Sequence, residues 1–159
     1  MTTTSLGNVV PDFEITCTGE KTLKRSDLEG KYVVFYFYPK DHTPGCTQEG
    51  RDFRDNMNEF ENLNTLIFGV SRDSVRTHEN FREKQCFPFD LLADADEVLC
   101  NLFDVIKMKN MYGRQSMGIE RSTFLIAPDG TLLWEWRKVK VKGHVQQVLG
   151  KVAEISQAT

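Results

Sequence analysis

No stretch of this 159-residue chain is apolar for long enough to cross a bilayer, a span that takes about 20 such residues. Met1 to Asn8 is rich in threonine and has neither a basic start nor an apolar centre, so it does not read as a secretion signal. A cytoplasmic protein is the expectation. An excess of one charge sign is missing as well: 20 basic and 23 acidic residues leave a net charge of -3. That balance offers no field for nucleic acid or an anionic membrane, and speaks mainly to solubility. The cysteines Cys17, Cys46, Cys86 and Cys100 form no Cys-x-x-Cys pair and no Cys/His pair at zinc-finger spacing. A structural metal site and a dithiol-type disulfide exchanger are both disfavoured, and no cofactor pattern stands out. Internal repeats, linkers and low-complexity tracts are absent too, so residues 1–159 read as one domain.

What is present alternates between strand and helix patterns. Phe13 to Cys17 alternates in polarity like a strand, and Lys21 to Arg25 reads as its hairpin partner. Ser26 to Gly30 looks like one helical turn with Ser26 as cap. Val33 to Tyr38 is apolar at every position, the mark of a strand buried on both faces. The helix after it has Thr43 at the N-cap, Pro44 at the first position and apolar residues at Phe53, Met57 and Phe60, and is expected to run to about Glu61. Thr65 to Val70 suits a second buried strand, Val75 to Lys84 a helix, and Phe89 to Leu92 a short strand. Asp94 or Asp96 caps a helix in which Leu99, Leu102, Phe103 and Ile106 share a face. Lys107 to Gly118 reads as an irregular covering loop. Ser122 to Ala127 and Thr131 to Trp136 form a hairpin about Pro128-Asp129-Gly130. Val139 and Val141 alternate with Lys138, Lys140 and Lys142 in its extension, and a last helix carries Val145, Val148, Leu149, Val152 and Ile155. The order implies an α/β protein with a mixed central sheet and helices on both faces.

Cys46 falls in the first turn of the helix that leaves the buried strand. Backbone N–H groups there are unpaired and the helix dipole is positive, so a thiolate is stabilised. Thr43, three residues earlier, brings a hydroxyl that can donate and accept. Arg121 stands just ahead of a buried strand, where a permanent cation could steady a thiolate or an oxyanion leaving group. The plainer readings are a Cys46 that merely packs, and an Arg121 that pairs with Glu120 at the surface.

Pro39-x-x-x-Thr43-x-x-Cys46, followed by Thr47 and Glu49, resembles the peroxiredoxin active-site pattern. The fuller string from Tyr38 to Thr47 resembles the peroxiredoxin Q (PrxQ) branch, also called bacterioferritin comigratory proteins, as does Gly118-Ile-Glu-Arg-Ser-Thr-Phe-Leu-Ile126. The likeness runs from about Gly7 to Ile155. It implies a thioredoxin-like fold and reduction of hydrogen peroxide and organic hydroperoxides, with thioredoxin or a glutaredoxin as reductant and a monomeric state. By resemblance, Cys46 is the peroxidatic cysteine and Thr43 the hydroxyl that holds the peroxide. Arg121 is the arginine near the thiolate, Pro39 shields the pocket from water, and Glu49 orients the arginine network.

Many members of the branch carry a second cysteine five residues after the first, where this chain has Arg51. Others place the resolving cysteine in the helix matching Val75 to Lys84. Cys86, just past that helix, is then the candidate resolver. Reaching it requires the first turn of the Cys46 helix to unwind and the Cys86 loop to shift, because disulfide Cα atoms lie within about 7 Å. Two alternatives stand beside this one: a single-cysteine cycle resolved by an external thiol, and a non-catalytic redox sensor or binding module. Cys17 and Cys100 read as structural, and His42 as an exposed loop residue.

Overall fold

The computed structural model describes residues 3–158. The uninterrupted apolar run forms β3 (Tyr32–Phe37), buried at every position from Val33 onward. It pairs parallel with β4 (Thr65–Ser71) on one side and antiparallel with β8 (Ser122–Ile126) on the other. Beyond β4 lie β5 (Leu91–Ala93), β1 (Glu14–Cys17) and β2 (Lys21–Lys24), and beyond β8 lies β9 (Leu132–Trp136). The result is a seven-stranded mixed sheet in the order β2-β1-β5-β4-β3-β8-β9.

Alternate residues of β3 face two separate cores. Val33, Phe35 and Phe37 pack with Leu99, Phe103 and Phe124 beside α4 (Val98–Leu102). Val34 and Tyr36, with Tyr38 just beyond the strand, pack on the other face. Their partners include Phe53 of α1 (Pro44–Asp55), Phe60 of α2 (Met57–Asn62), Phe81 of α3 (Val75–Gln85) and Val148 of α5 (His144–Gln157). Helices therefore cover both faces, which is why β3 tolerates no polar position. Cys46 belongs to the second core.

Several local expectations are corrected. The helix expected to reach Glu61 breaks at Asn56 (φ -111°, ψ 12°), whose side-chain amide donates to the Asp52 carbonyl at 2.7 Å. Met57 and Phe60 are still buried, so the apolar spacing survives the break and hides it. The 3₁₀ turn Arg25–Leu28 is preceded by Lys24 rather than capped by Ser26, and the Asp27 carboxylate accepts the Lys24 N–H. α4 stops at Leu102, and Ile106 opens a strand instead of sharing its face. Asp94, not Asp96, supplies the capping oxygens, which accept from the Leu99 and Cys100 amides at 3.1 and 2.7 Å.

The stretch read as an irregular loop is a hairpin of β6 (Ile106–Met111) and β7 (Arg114–Ile119). Tyr112 (φ 54°) and Gly113 (φ 78°) form its turn, with the two positive φ values a two-residue hairpin connection needs. The hairpin lies outside the main sheet and its outer part is solvent-exposed, so nothing imposes a period-two apolar pattern on it. The lysine-rich extension is not an edge strand either: β9 ends at Trp136 and Lys138 turns left-handed (φ 51°).

α1 lies close against the segment after α3. A Cβ on Gly50 would stand 2.3 Å from Phe87 Cζ, so only glycine permits this approach. Gly50→Ala gains helix propensity of about 1 kcal/mol, yet overpacking of this kind costs about 1–3 kcal/mol. Urea unfolding is expected to show a net loss of stability in that variant.

Candidate active site

From the end of β3 the chain passes through Tyr38 and the half-buried Pro39 into a tight loop in which exposed His42 adopts a left-handed conformation (φ 66°). α1 then begins at Pro44. Thr43 has the N-cap backbone conformation (φ -80°, ψ 152°), but its side chain does not cap. Its hydroxyl donates instead to the Lys40 carbonyl at 2.8 Å. With its proton so engaged, the oxygen is left to act toward a ligand as an acceptor.

Cys46 is the third residue of α1, and only 1% of it is exposed. The buried stripe of the helix continues through Glu49, Gly50 and Phe53, the i, i+3, i+4, i+7 face that packs on a sheet. One member of that stripe is a carboxylate, which needs a partner once buried. Arg121, between β7 and β8, provides it. Nη1 donates to Glu49 Oε1 at 2.7 Å, and Nη2 lies 3.4 Å from Cys46 Sγ as a donor. The three-residue spacing of Cys46 and Glu49 along α1 thus matches the two terminal nitrogens of a single guanidinium. The Arg121 backbone is tied down in turn, its carbonyl accepting from the Val139 N–H at 2.9 Å.

Electrostatics at this cluster are uneven. Burial pushes the Glu49 carboxyl up to about 7, and the attraction and hydrogen bond of Arg121 offset this only in part. Its second oxygen, Oε2, has no hydrogen-bond partner among the described residues. Burial also works against the Arg121 charge, but Glu49 and Cys46 outweigh it and hold the guanidinium above its ordinary value. Elsewhere, burial followed by the Asp90 charge raises the Cys17 thiol to about 11. Burial and then Asp94 raise Cys100 as well. Neither supplies a ready thiolate at neutral pH, as their structural reading requires. Cys86 is exposed, at the left-handed C-cap of α3 (φ 55°), and all four thiols are free. The structure therefore brings Cys46, Glu49 and Arg121 together, places Thr43 and Pro39 on the adjoining loop, and leaves Cys86 outside the cluster.

One buried network lay beyond the sequence reading. The Tyr38 hydroxyl donates to Asp41 Oδ1 at 2.6 Å, and His78 Nδ1 lies 2.6 Å from Asp41 Oδ2. His78 Nε2 lies 2.9 Å from the Leu92 carbonyl. The loop is held a second time where the Asp41 N–H donates to Asp73 Oδ2 at 3.0 Å. The one available signal was His78 lying three residues before inward-facing Phe81 on α3, a spacing that puts both on one helix face. Asp41, Asp73 and His78 lie close enough together to hold a metal ion. Each, however, already has a partner in the loop network, and we assign no metal there.

Sheet order, helix placement and a thiol at the start of the helix after the central strand define a thioredoxin-fold protein of the peroxiredoxin class. The chain belongs to the AhpC/TSA family, whose model matches residues 6–135, and within it to the peroxiredoxin Q or bacterioferritin comigratory branch. Peroxiredoxin Bcp of Bacillus subtilis is 50% identical over 155 residues, covering 98% of this chain and 99% of that protein. Peroxiredoxin Bcp of Xanthomonas campestris is 59% identical over 131 residues, covering 82% and 81% of the two chains. The solved structure of Xanthomonas campestris peroxiredoxin Q superposes with a TM-score of 0.87 at 50% identity over 91% of both chains. A structure of the bacterioferritin comigratory protein from the same organism has a TM-score of 0.87 at 49% identity, covering 91% of this chain and 92% of that one. That protein was studied as a trapped intermediate/ligand complex for its alkyl peroxide reduction activity.

The raised Glu49 carboxyl makes stability depend on pH. Its folded value of about 7 exceeds the ordinary 4.5, so the folded state binds the extra proton between the two values. The associated stability is complete below about 4.5 and lost as pH rises through about 7, on the order of 3 kcal/mol. Glu49→Gln removes that dependence. Urea unfolding from pH 4.5 to 8 is expected to show the native protein losing stability relative to the variant as pH rises.

Proposed function

We propose that the chain is a thiol-dependent peroxidase acting on hydrogen peroxide and organic hydroperoxides, with Cys46 as the attacking thiol. The observation that carries this reading is the Arg121 guanidinium, which reaches Cys46 Sγ and Glu49 with its two ends. The thiolate sulfur attacks one peroxide oxygen in line with the O–O bond. An S–O bond forms and the O–O bond breaks, taking sulfur to the sulfenic acid. The electron pair leaves on the departing oxygen, which takes up a proton to become water or an alcohol. Thr43 Oγ1, its own proton held by Lys40, accepts the peroxide O–H. Arg121 and the open amides of the first turn stabilise the charge on the leaving oxygen. Pro39, half-buried beside this loop, limits the access of water. Stabilising the charge on the departing oxygen polarises the O–O bond, and this carries much of the acceleration.

Cys86 then attacks the sulfenic sulfur, releasing water and forming a Cys46–Cys86 disulfide. Thioredoxin or a glutaredoxin returns both thiols. The likeness to the alkyl-peroxide-reducing Xanthomonas protein supports the inclusion of organic hydroperoxides. One domain carries the whole cycle, working as a monomer in the cytoplasm. No helix among the described residues is long and apolar enough to cross a membrane.

Cys46→Ser is expected to abolish peroxide consumption, and retained activity would refute the mechanism. Mass analysis of peroxide-treated protein is expected to yield a Cys46–Cys86 linked peptide. In Cys86→Ser, thioredoxin-coupled turnover should collapse while the first sulfenic acid still forms. Turnover at full rate would instead favour a single-cysteine cycle with an external thiol.

A further inference from the structure

The Thr43 hydroxyl closes a turn on the Lys40 carbonyl, and the two residues inside that turn point opposite ways. His42 is exposed, while Asp41 is buried. What holds Asp41 therefore holds Thr43. Its backbone N–H donates to Asp73 Oδ2, which also accepts from the Ser71 hydroxyl at the end of β4 at 2.5 Å. Its carboxyl meets the Tyr38 hydroxyl at Oδ1 and His78 Nδ1 at Oδ2, each at 2.6 Å. His78 is fixed in turn, because Nε2 donates to the Leu92 carbonyl of β5 at 2.9 Å. Tyr38, Asp41 and His78 are all buried, and a satisfied polar network in a low dielectric rigidifies what it joins.

We infer that His78 is a positioning residue for the peroxide step: through Asp41 it fixes the turn 40–43, and with it the place of Thr43 Oγ1 relative to Cys46 Sγ. The inference rests on the reading of Thr43 Oγ1 as the acceptor of the peroxide O–H. Left-handed His42 (φ 66°) persists only where its surroundings impose that conformation, and Asp41 is its anchored neighbour. Released from His78, the turn can relax and carry Thr43 out of line. A displacement of about 1 Å in a reacting geometry can cost about 100-fold in rate. The groups that bury and pair Cys46 belong to α1 and to Arg121. Its reactivity toward a reagent that needs no acceptor is therefore spared.

The two ring nitrogens can be replaced one at a time. His78→Asn sets an amide N–H where Nδ1 stands and keeps a donor for Asp41. His78→Gln sets one where Nε2 stands and keeps a donor for the Leu92 carbonyl. Reduced full-length protein is mixed rapidly with hydrogen peroxide, and the sulfenic acid at Cys46 is trapped with a dione reagent. Alkylation of Cys46 by iodoacetamide is timed separately on its own peptide. Both variants are expected to lose stability in urea. Oxidation should slow about tenfold or more in H78Q and stay within about threefold of the unsubstituted rate in H78N, with alkylation unaltered in both. Equal oxidation rates in the two variants overturn the inference, as does a loss of oxidation matched by an equal change in alkylation. If H78Q does not fold, Tyr38→Phe decides. It removes the other side-chain bond to the Asp41 carboxyl and should slow oxidation but not alkylation, and an unaltered oxidation rate overturns the inference. Thr43→Val separates the two readings: if it oxidises at the unaltered rate, the acceptor role of Thr43 fails first and the role of His78 falls with it.

Discussion

The contact between one guanidinium and two acidic groups, the Glu49 carboxyl and the Cys46 thiol, organises the candidate site. Arg121 comes from the junction just ahead of β8, while Cys46 and Glu49 come from α1. They meet because β8 pairs directly with β3, and the chain leaving β3 forms α1. Burying a charge without a partner is expensive, so each group makes the others tolerable. Burial raises the Glu49 carboxyl to about 7, and the attraction and hydrogen bond of Arg121 offset that rise only in part.

A second constraint holds the loop before α1. Both ring nitrogens of His78 face acceptors, Asp41 on one side and the Leu92 carbonyl on the other. A carbonyl cannot donate, so Nε2 is the donor in the bond to Leu92. The network is fully buried and joins the loop to α3 and β5. Left-handed His42 is kept in place between Asp41 and Thr43, a conformation costly for any residue but glycine. The position of Thr43 relative to Cys46 therefore depends on groups whose side chains do not belong to the Cys46–Glu49–Arg121 cluster.

The parts of this architecture legible from sequence were those with one dominant local cause. Val33 to Phe37 had to be a doubly buried strand because no position was polar. Cys46 had to lie in a first turn because Thr43, Pro44 and the following apolar spacing agreed. The branch motif identified Arg121 and Glu49, although no spacing argument could show that one guanidinium bridges both. What could not be read depended on distant partners. The hairpin Ile106–Ile119 shows no clean alternation because solvent surrounds its outer part. The break at Asn56 leaves the apolar period intact on either side. The Asp41–His78 pair joins residues 37 positions apart, with no signal in either neighbourhood.

α1 is held unevenly along its length. The far end is held by Phe53 in the core, by Gly50 against Phe87, and by Arg51 and Arg54 on Gln85. The near end has Pro44, which lacks an N–H, then a glycine, and an N-cap hydroxyl that bonds elsewhere. A missing side-chain cap alone withholds about 1 kcal/mol from a helix. This turn is held by the Thr47 N–H bond to the Thr43 carbonyl at 2.9 Å, by the burial of Cys46 and by its contact with Arg121. Oxidation acts on that contact directly. A thiolate offers the guanidinium a full negative charge, and a neutral sulfenic acid does not, so the attraction between Arg121 and Cys46 weakens once the sulfur is oxidised.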